Sequence, residues 1–226
     1  MHEKASGDDS VLRISIDGKA AVKVGLFSRN GKSRTIVHAA DHDFKPDAKM
    51  TPFGVYLPDH GELFLYMSNS KVTSDFIVDC LEHFWETIRN RFPKVTTLLI
   101  NSDNGPETHS RRTQLMNRLT AFADQEQITI QLAYYPPYHS KYNPVERVWG
   151  GLEQHWNGSL LDSIDTVLAF ARTFTWRSMQ PTVTHVSRIY DTGVKLSQKA
   201  MAQLEKRFDR LDDLEKWFVT ISPIPN

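Results

Sequence analysis

The chain has 226 residues, 40% of them hydrophobic and 24% charged, and its 27 basic residues balance its 27 acidic ones. That composition excludes a disordered or low-complexity chain and allows a sizeable buried core, most simply one α/β domain with an appendage. The single cysteine, Cys80, excludes a disulfide framework and any cysteine-rich zinc site.

Neutral net charge argues neither for nor against nucleic acid, because a cluster of carboxylates and a separate basic surface cancel in the sum. No apolar run reaches the roughly 18 residues of a membrane span, and the N-terminus lacks the apolar core of a signal peptide. The expectation is a soluble, cytoplasmic protein.

Residues 1–10 are polar and are expected to be a disordered N-terminus. Leu12, Ile14 and Ile16 then alternate with Arg13 and Ser15, the period-two pattern of a half-buried strand that delivers Asp17 at its end. Asp17-Gly18 is also a common hairpin turn, so the aspartate alone signals no chemistry. Residues 19–50 are irregular, with a basic loop over 29–34. The Asp41-His42-Asp43 group reads as a solvated turn, since no regular element fixes it as metal ligands would require. Runs at 51–57 and 62–67 flank Pro58-Asp59-His60-Gly61 as a hairpin.

An apolar stripe at 76, 77, 80, 81, 84, 85 and 88 predicts a helix over 74–91. The continuous apolar run 95–101 suits a strand buried on both faces. It opens into a turn marked by Asn104-Gly105-Pro106, which places Asp103 where a central strand ends. A helix over 110–124 should carry Arg111, Arg112 and Arg118 on its outer face, and a strand over 128–135 follows.

Pro136 and Pro137 stiffen the next loop. Asn143 is a good N-cap, Pro144 a good first helical residue, and Glu146 falls on the third helical position, where the plain reading is a capping box with Asn143. Val145, Val148, Trp149, Leu152 and Trp156 form the buried stripe of this helix, while Glu146, Gly150 and Glu153 share another face. Helices over 164–177 and 198–210, the latter capped by Ser197, complete the chain. The resulting division is a main domain over 11–177 and an appendage over 178–226.

Three strands, helix, strand, helix, strand, helix is the succession of the RNase H-like arrangement. The predicted fold class is therefore α/β, a mixed five-stranded sheet flanked by helices, with a small helical C-terminal appendage. Asp17, Asp103 and Glu146, each at the end of an element, could then converge at one edge of the sheet. Three such acids suffice to hold two hard cations for in-line phosphoryl displacement.

The sequences IDG at Asp17, NSDNGPE around Asp103 and YYPPYHSKYNPVERVWG around Glu146 resemble the DDE catalytic domain of bacterial insertion-sequence transposases, relatives of retroviral integrases. The resemblance runs from about residue 13 to 158. It implies that Asp17 bridges two Mg²⁺ or Mn²⁺ ions, that Asp103 binds one, and that Glu146 binds the other. Activated water would cut DNA to leave a 3′-hydroxyl, which would then attack target DNA. The implied partners are transposon ends, target DNA and a second copy of the chain.

Among further candidates, Asn104 matches the family motif and shapes the loop around Asp103. His139, Ser140 and Lys141 could touch a scissile phosphate or simply form a loop, and Glu153 is a lesser candidate for a metal or substrate role. Arg111 and Arg112 are candidates for backbone-phosphate contacts. Such transposases usually carry a helix-turn-helix region before the first acid, and Asp17 lies too near Met1 for one, so the expectation is a chain truncated of that region. Two alternatives share the motifs: a nuclease without strand transfer, and a non-catalytic transposase remnant.

Overall fold

The computed structural model describes residues 8–29, 46, 48–136 and 142–225. Its centre is a mixed sheet. Strand β1 (Val11–Gly18) pairs antiparallel with β3 (Ala48–Leu57), which turns through a tight hairpin into β4 (Glu62–Ser68). On its other side β1 pairs parallel with β5 (Thr97–Ser102), and β5 with β6 (Thr129–Tyr134). The order β4-β3-β1-β5-β6, with the first three strands antiparallel and the last two joined through helices, is that of the RNase H-like fold. Asp17 lies within the β1–β3 ladder opposite Gly54, not in a hairpin turn.

Helices α1 (Ser74–Ile88) and α2 (Thr113–Glu126) cover one face of the sheet, and α3 (Glu146–His155) and α4 (Ile164–Thr173) cover the other. Helix α1 ends at Ile88 with its apolar stripe, and the rest of the expected 74–91 span is a 3₁₀ turn at Arg89–Arg91. Because strand side chains alternate, Leu12, Ile14 and Ile16 pack beneath α1 and α2, whereas Arg13, Ser15 and Asp17 turn to the opposite face. In β5, Leu98 and Ile100 take the first face and Asn101 the second, where Arg13 Nε donates to Asn101 Oδ1 at 2.8 Å. Ser15 is in register with Asn101. Two residues further along each strand, period two brings Asp17 and Asp103 to the same face and the same end of the sheet.

The sheet is larger than the five strands expected: among the described residues it has nine. Strand β2 (Val22–Val24) pairs with the start of β3 and is too short to show periodicity in the sequence. The remaining three strands come from the C-terminal segment, which is no separate helical appendage. Strand β7 (Thr182–Val186) adds in parallel to β4; helix α5 (Gln198–Glu205) follows, with Ser197 Oγ capping it as expected. Strands β8 (Phe208–Arg210) and β9 (Phe218–Ile221) form an antiparallel pair that docks on β6. Both edges of the five-stranded core are thereby paired, which moves the open edges to the short strands β7 and β8.

Arg207 makes two hydrogen bonds to the Asp124 carboxylate, at 2.6 and 2.7 Å, tying this segment to α2. At the other end of the chain, Ser10 O accepts from the backbone N–H groups of Thr96 and Thr97, so Asp8–Ser10 run on into the sheet; residues 1–7 lie outside the described residues. Val219 and Ile221 are fully buried in the main core. Val219→Ala should therefore cost about 2 kcal/mol and lower the Tm by roughly 4–8 °C. An unchanged melting curve would mean that the β8–β9 pair contributes nothing to the fold. Among the described residues no helix is long and apolar enough to cross a membrane.

Candidate active site

The end of β1 carries Asp17, with most of its side chain inside the protein. The indole Nε1 of Trp149, on the first turn of α3, donates to Asp17 Oδ2 at 2.7 Å. Burial pushes the Asp17 carboxyl up to about 7, against the pull of the Trp149 N–H. The negative charges of Asp103 and Glu146 raise it further, so both acids are near enough for Asp17 to sense them.

Asp103 follows directly on β5 and is held by its own loop. Thr108 Oγ1 donates to Asp103 Oδ1 at 3.0 Å, and Gly105 N–H donates back to Thr108 Oγ1 at 3.0 Å. A Cβ on Gly105 would stand 3.0 Å from Asp103 Oδ2, so the absence of a side chain lets this turn fold over the carboxylate. The turn is braced from below by Tyr134, whose hydroxyl donates to Thr108 O at 2.7 Å.

Glu146 opens α3, but not through the expected capping box. Asn143 is fully buried, and its side chain faces β1 instead of the helix. Its Nδ2 donates to Ile16 O at 3.0 Å, its Oδ1 accepts from Ser15 Oγ, and Ser15 Oγ accepts from Val145 N–H at 3.1 Å. The α3 N-cap, Val145, makes no side-chain capping bond. Ser15 and Asn143 thus form a latch between the strand that carries Asp17 and the turn that carries Glu146. Their residue types do not reveal this, because the partners are 128 positions apart in the chain.

Asp17 and Asp103 thus end neighbouring parallel strands, Glu146 starts the helix latched to the first of them, and Asp17 senses the charge of both other acids. Among the described residues, however, no three His, Cys, Asp or Glu side chains already form a group able to hold a metal ion. The donor set still fits Mg²⁺ or Mn²⁺ chemically. All three groups offer hard oxygens, their mutual repulsion is of the kind a cation relieves, and Asn104 Oδ1 beside them is buried without a hydrogen-bond partner among the described residues. Magnesium in particular is commonly bound by one or two carboxylates and completed by water and substrate phosphate.

Other candidates fare differently. Arg112 is paired with Glu107 at 3.0 Å; burial would raise the Glu107 carboxyl, but Ser74 and Arg112 hold it below the usual range. Arg111 is exposed beside Met201, Glu205 and Glu215. Arg118 is turned not outward but toward α1, where it bridges Asp75 and Asp79 at 2.9 and 2.7 Å. Glu153 forms an ion pair with Lys19 at 2.5 Å and accepts from Trp156 Nε1 at 2.8 Å, partners that hold its carboxyl down despite burial. His139, Ser140, Lys141, the 41–43 group and all of the basic loop except Arg29 lie outside the described residues.

An RNase H-like sheet with a carboxylate at the end of β1, another just after β5 and a third at the start of α3 is the architecture of a class of nucleic-acid-processing proteins. A family described as Rhodopirellula transposase DDE domain matches residues 2–223, and the chain belongs to that family. No curated protein matches it. Among solved structures, the chain is similar to the Mos1 transposase paired-end complex with left transposon end at 10% identity and TM-score 0.46, covering 74% of this chain and 47% of that one. The Mos1 mariner paired end complex with Mn is 11% identical with TM-score 0.47, covering 70% and 45%. The chain thus spans about half the length of these structures.

Proposed function

We propose that the chain is the catalytic domain of a divalent-metal-dependent DNA transposase, with Asp17, Asp103 and Glu146 as its ion-binding triad. The observation that carries this reading is the electrostatic convergence of the three acids: Asp17 senses both Asp103 and Glu146 from two separate elements. Membership in a DDE transposase family supports it.

Two bound ions would activate the attacking oxygen and stabilise the departing one. The chain's own residues have the other tasks. Asp17 and Asp103 present oxygens from adjacent parallel strands, Glu146 presents them from the first turn of α3, and Thr108 and the Ser15–Asn143 latch keep these elements in place. In the first step water attacks a phosphodiester and the P–O3′ bond breaks, leaving a 3′-hydroxyl and a 5′-phosphate. In the second, that 3′-hydroxyl attacks a target phosphodiester, displacing its 3′-oxygen. Arg111, together with His139, Ser140 and Lys141, would contact phosphates along the way, and Arg112 could do so only by sharing its guanidinium with Glu107. Two copies would act together on paired ends.

The test is nicking of a supercoiled plasmid, and joining of a pre-cut 3′-hydroxyl end to a target duplex, in Mg²⁺ or Mn²⁺. Asp103→Asn should abolish both, by at least about a thousandfold if charge stabilisation at the reacting phosphate is lost. Activity that persists without divalent metal would overturn the proposal, and nicking without joining would reduce it to a nuclease.

A further inference from the structure

We infer that Trp149, seated in a notch left open by Gly54, is the positioning residue for Asp17 and sets which of its oxygens can face the ions. The inference rests on the reading of the three acids as an ion-binding triad. Gly54 lies directly opposite Asp17 in the β1–β3 ladder. A Cβ built on Gly54 would stand 2.9 Å from Trp149 Cη2 and 2.9 Å from Val145 Cγ2, so a side chain there would displace the indole or the Val145 side chain beside it. Because position 54 is bare, the indole seats against the strand with its N–H reaching Asp17 Oδ2 at 2.7 Å.

The indole N–H is a neutral donor with no acceptor capacity. It engages one lone pair of Oδ2 and fixes the plane of the carboxylate without neutralising it, leaving the remaining lone pairs for cations. An ammonium or guanidinium in the same place would compete with them. A purely space-filling role explains this contact less well: the Nε1 of Trp176 is buried in the same fold with no hydrogen-bond partner among the described residues, so the packing of α3 and α4 on the sheet does not by itself demand one. Trp149 also follows Glu146 by three residues, so a single helix supplies one acid and orients another.

Partners that orient a metal-binding side chain typically contribute ten- to a hundredfold to metal affinity. The experiment is calorimetric titration of the metal-free full chain with Mn²⁺, for the wild type and the variants Trp149→Phe, Gly54→Ala and Trp85→Phe. Trp149→Phe keeps a ring in the notch and deletes only the N–H, and it should weaken Mn²⁺ binding at least tenfold. Nicking by this variant should recover as Mn²⁺ is raised. Gly54→Ala, which keeps the N–H but displaces it, should weaken binding in the same way. Trp85→Phe trims an indole on the buried side of α1, on the opposite face of the sheet from α3, and should leave the affinity unchanged while lowering the Tm. Unchanged Mn²⁺ affinity in Trp149→Phe, or an equal loss in Trp85→Phe, overturns this inference alone. A wild type that binds no Mn²⁺ overturns the triad reading and this inference together.

Discussion

Asp17→Asn is expected to raise the melting temperature of the metal-free protein at pH 8 by roughly 5–10 °C while abolishing Mn²⁺-dependent nicking. The cause is the unfavourable position of the Asp17 carboxylate. Burial, followed by the nearby charges of Asp103 and Glu146, takes it from its ordinary 3.8 up to about 7 in the folded chain, although the Trp149 N–H pulls the other way. Between those two values the folded protein holds a proton that the unfolded chain has already released. With respect to this group, stability is therefore greatest below about pH 4, declines as pH rises through the window, and levels off above about 7.

The full shift corresponds to about 4 kcal/mol, of which asparagine, neutral and still able to accept from Trp149, should recover about half or more. The difference in Tm between variant and wild type should vanish near pH 4 and be largest near pH 8. Excess Mn²⁺ should then stabilise the wild type and leave the variant unmoved, because only an ion-binding fold gains by mass action. A difference in Tm that is the same at pH 4 and pH 8 would show that Asp17 ionisation is not what strains the site.

The second large effect is expected at the latch. Asn143→Ala removes a fully buried amide and leaves the Ile16 carbonyl without this side-chain donor and the Ser15 O–H without its acceptor. Each unsatisfied buried group costs about 1–3 kcal/mol, so a total of roughly 3–4 kcal/mol and a fall of about 6–15 °C in Tm are expected. The turn that carries Glu146 would lose its anchor to β1, and a displacement of about 1 Å in a reacting group can cost on the order of a hundredfold in rate. Nicking measured well below the lowered Tm should fall by that amount or more. Ser15→Ala should cost less alone, since Asn143 keeps its bond to Ile16 O, and the two losses should be clearly non-additive in a double-mutant cycle. Additive losses would mean that the two side chains do not act as one latch.

Legibility in the sequence divided along physical lines. The alternation Leu12, Ile14, Ile16 and the apolar run before Asp103 are local patterns whose spacing follows the strand repeat, so both strands and the positions of their terminal acids could be read directly. The stripe of Val145, Val148, Trp149, Leu152 and Trp156 likewise identified the buried side of α3, and all five are buried. The role of Asn143 was misread because a good N-cap residue and a good cross-strand latch are chemically the same amide. The C-terminal strands were hidden because strands of three to five residues carry too little period to read, and they form only where an edge of β4 or β6 stands ready to pair with them.

By itself, then, the amino-acid sequence determined the five-stranded core, the succession of its elements and which acids end them, since each follows from the periodicity of neighbouring residues. Tertiary structure alone decided that Gly54 makes room for Trp149, that Trp149 holds Asp17, that Asn143 reaches back to β1, and that the last third of the α/β sheet is built from the chain's C-terminal segment. Those contacts join residues tens to more than a hundred positions apart, and hydrogen bonding and steric fit at such separations leave no trace in local patterning.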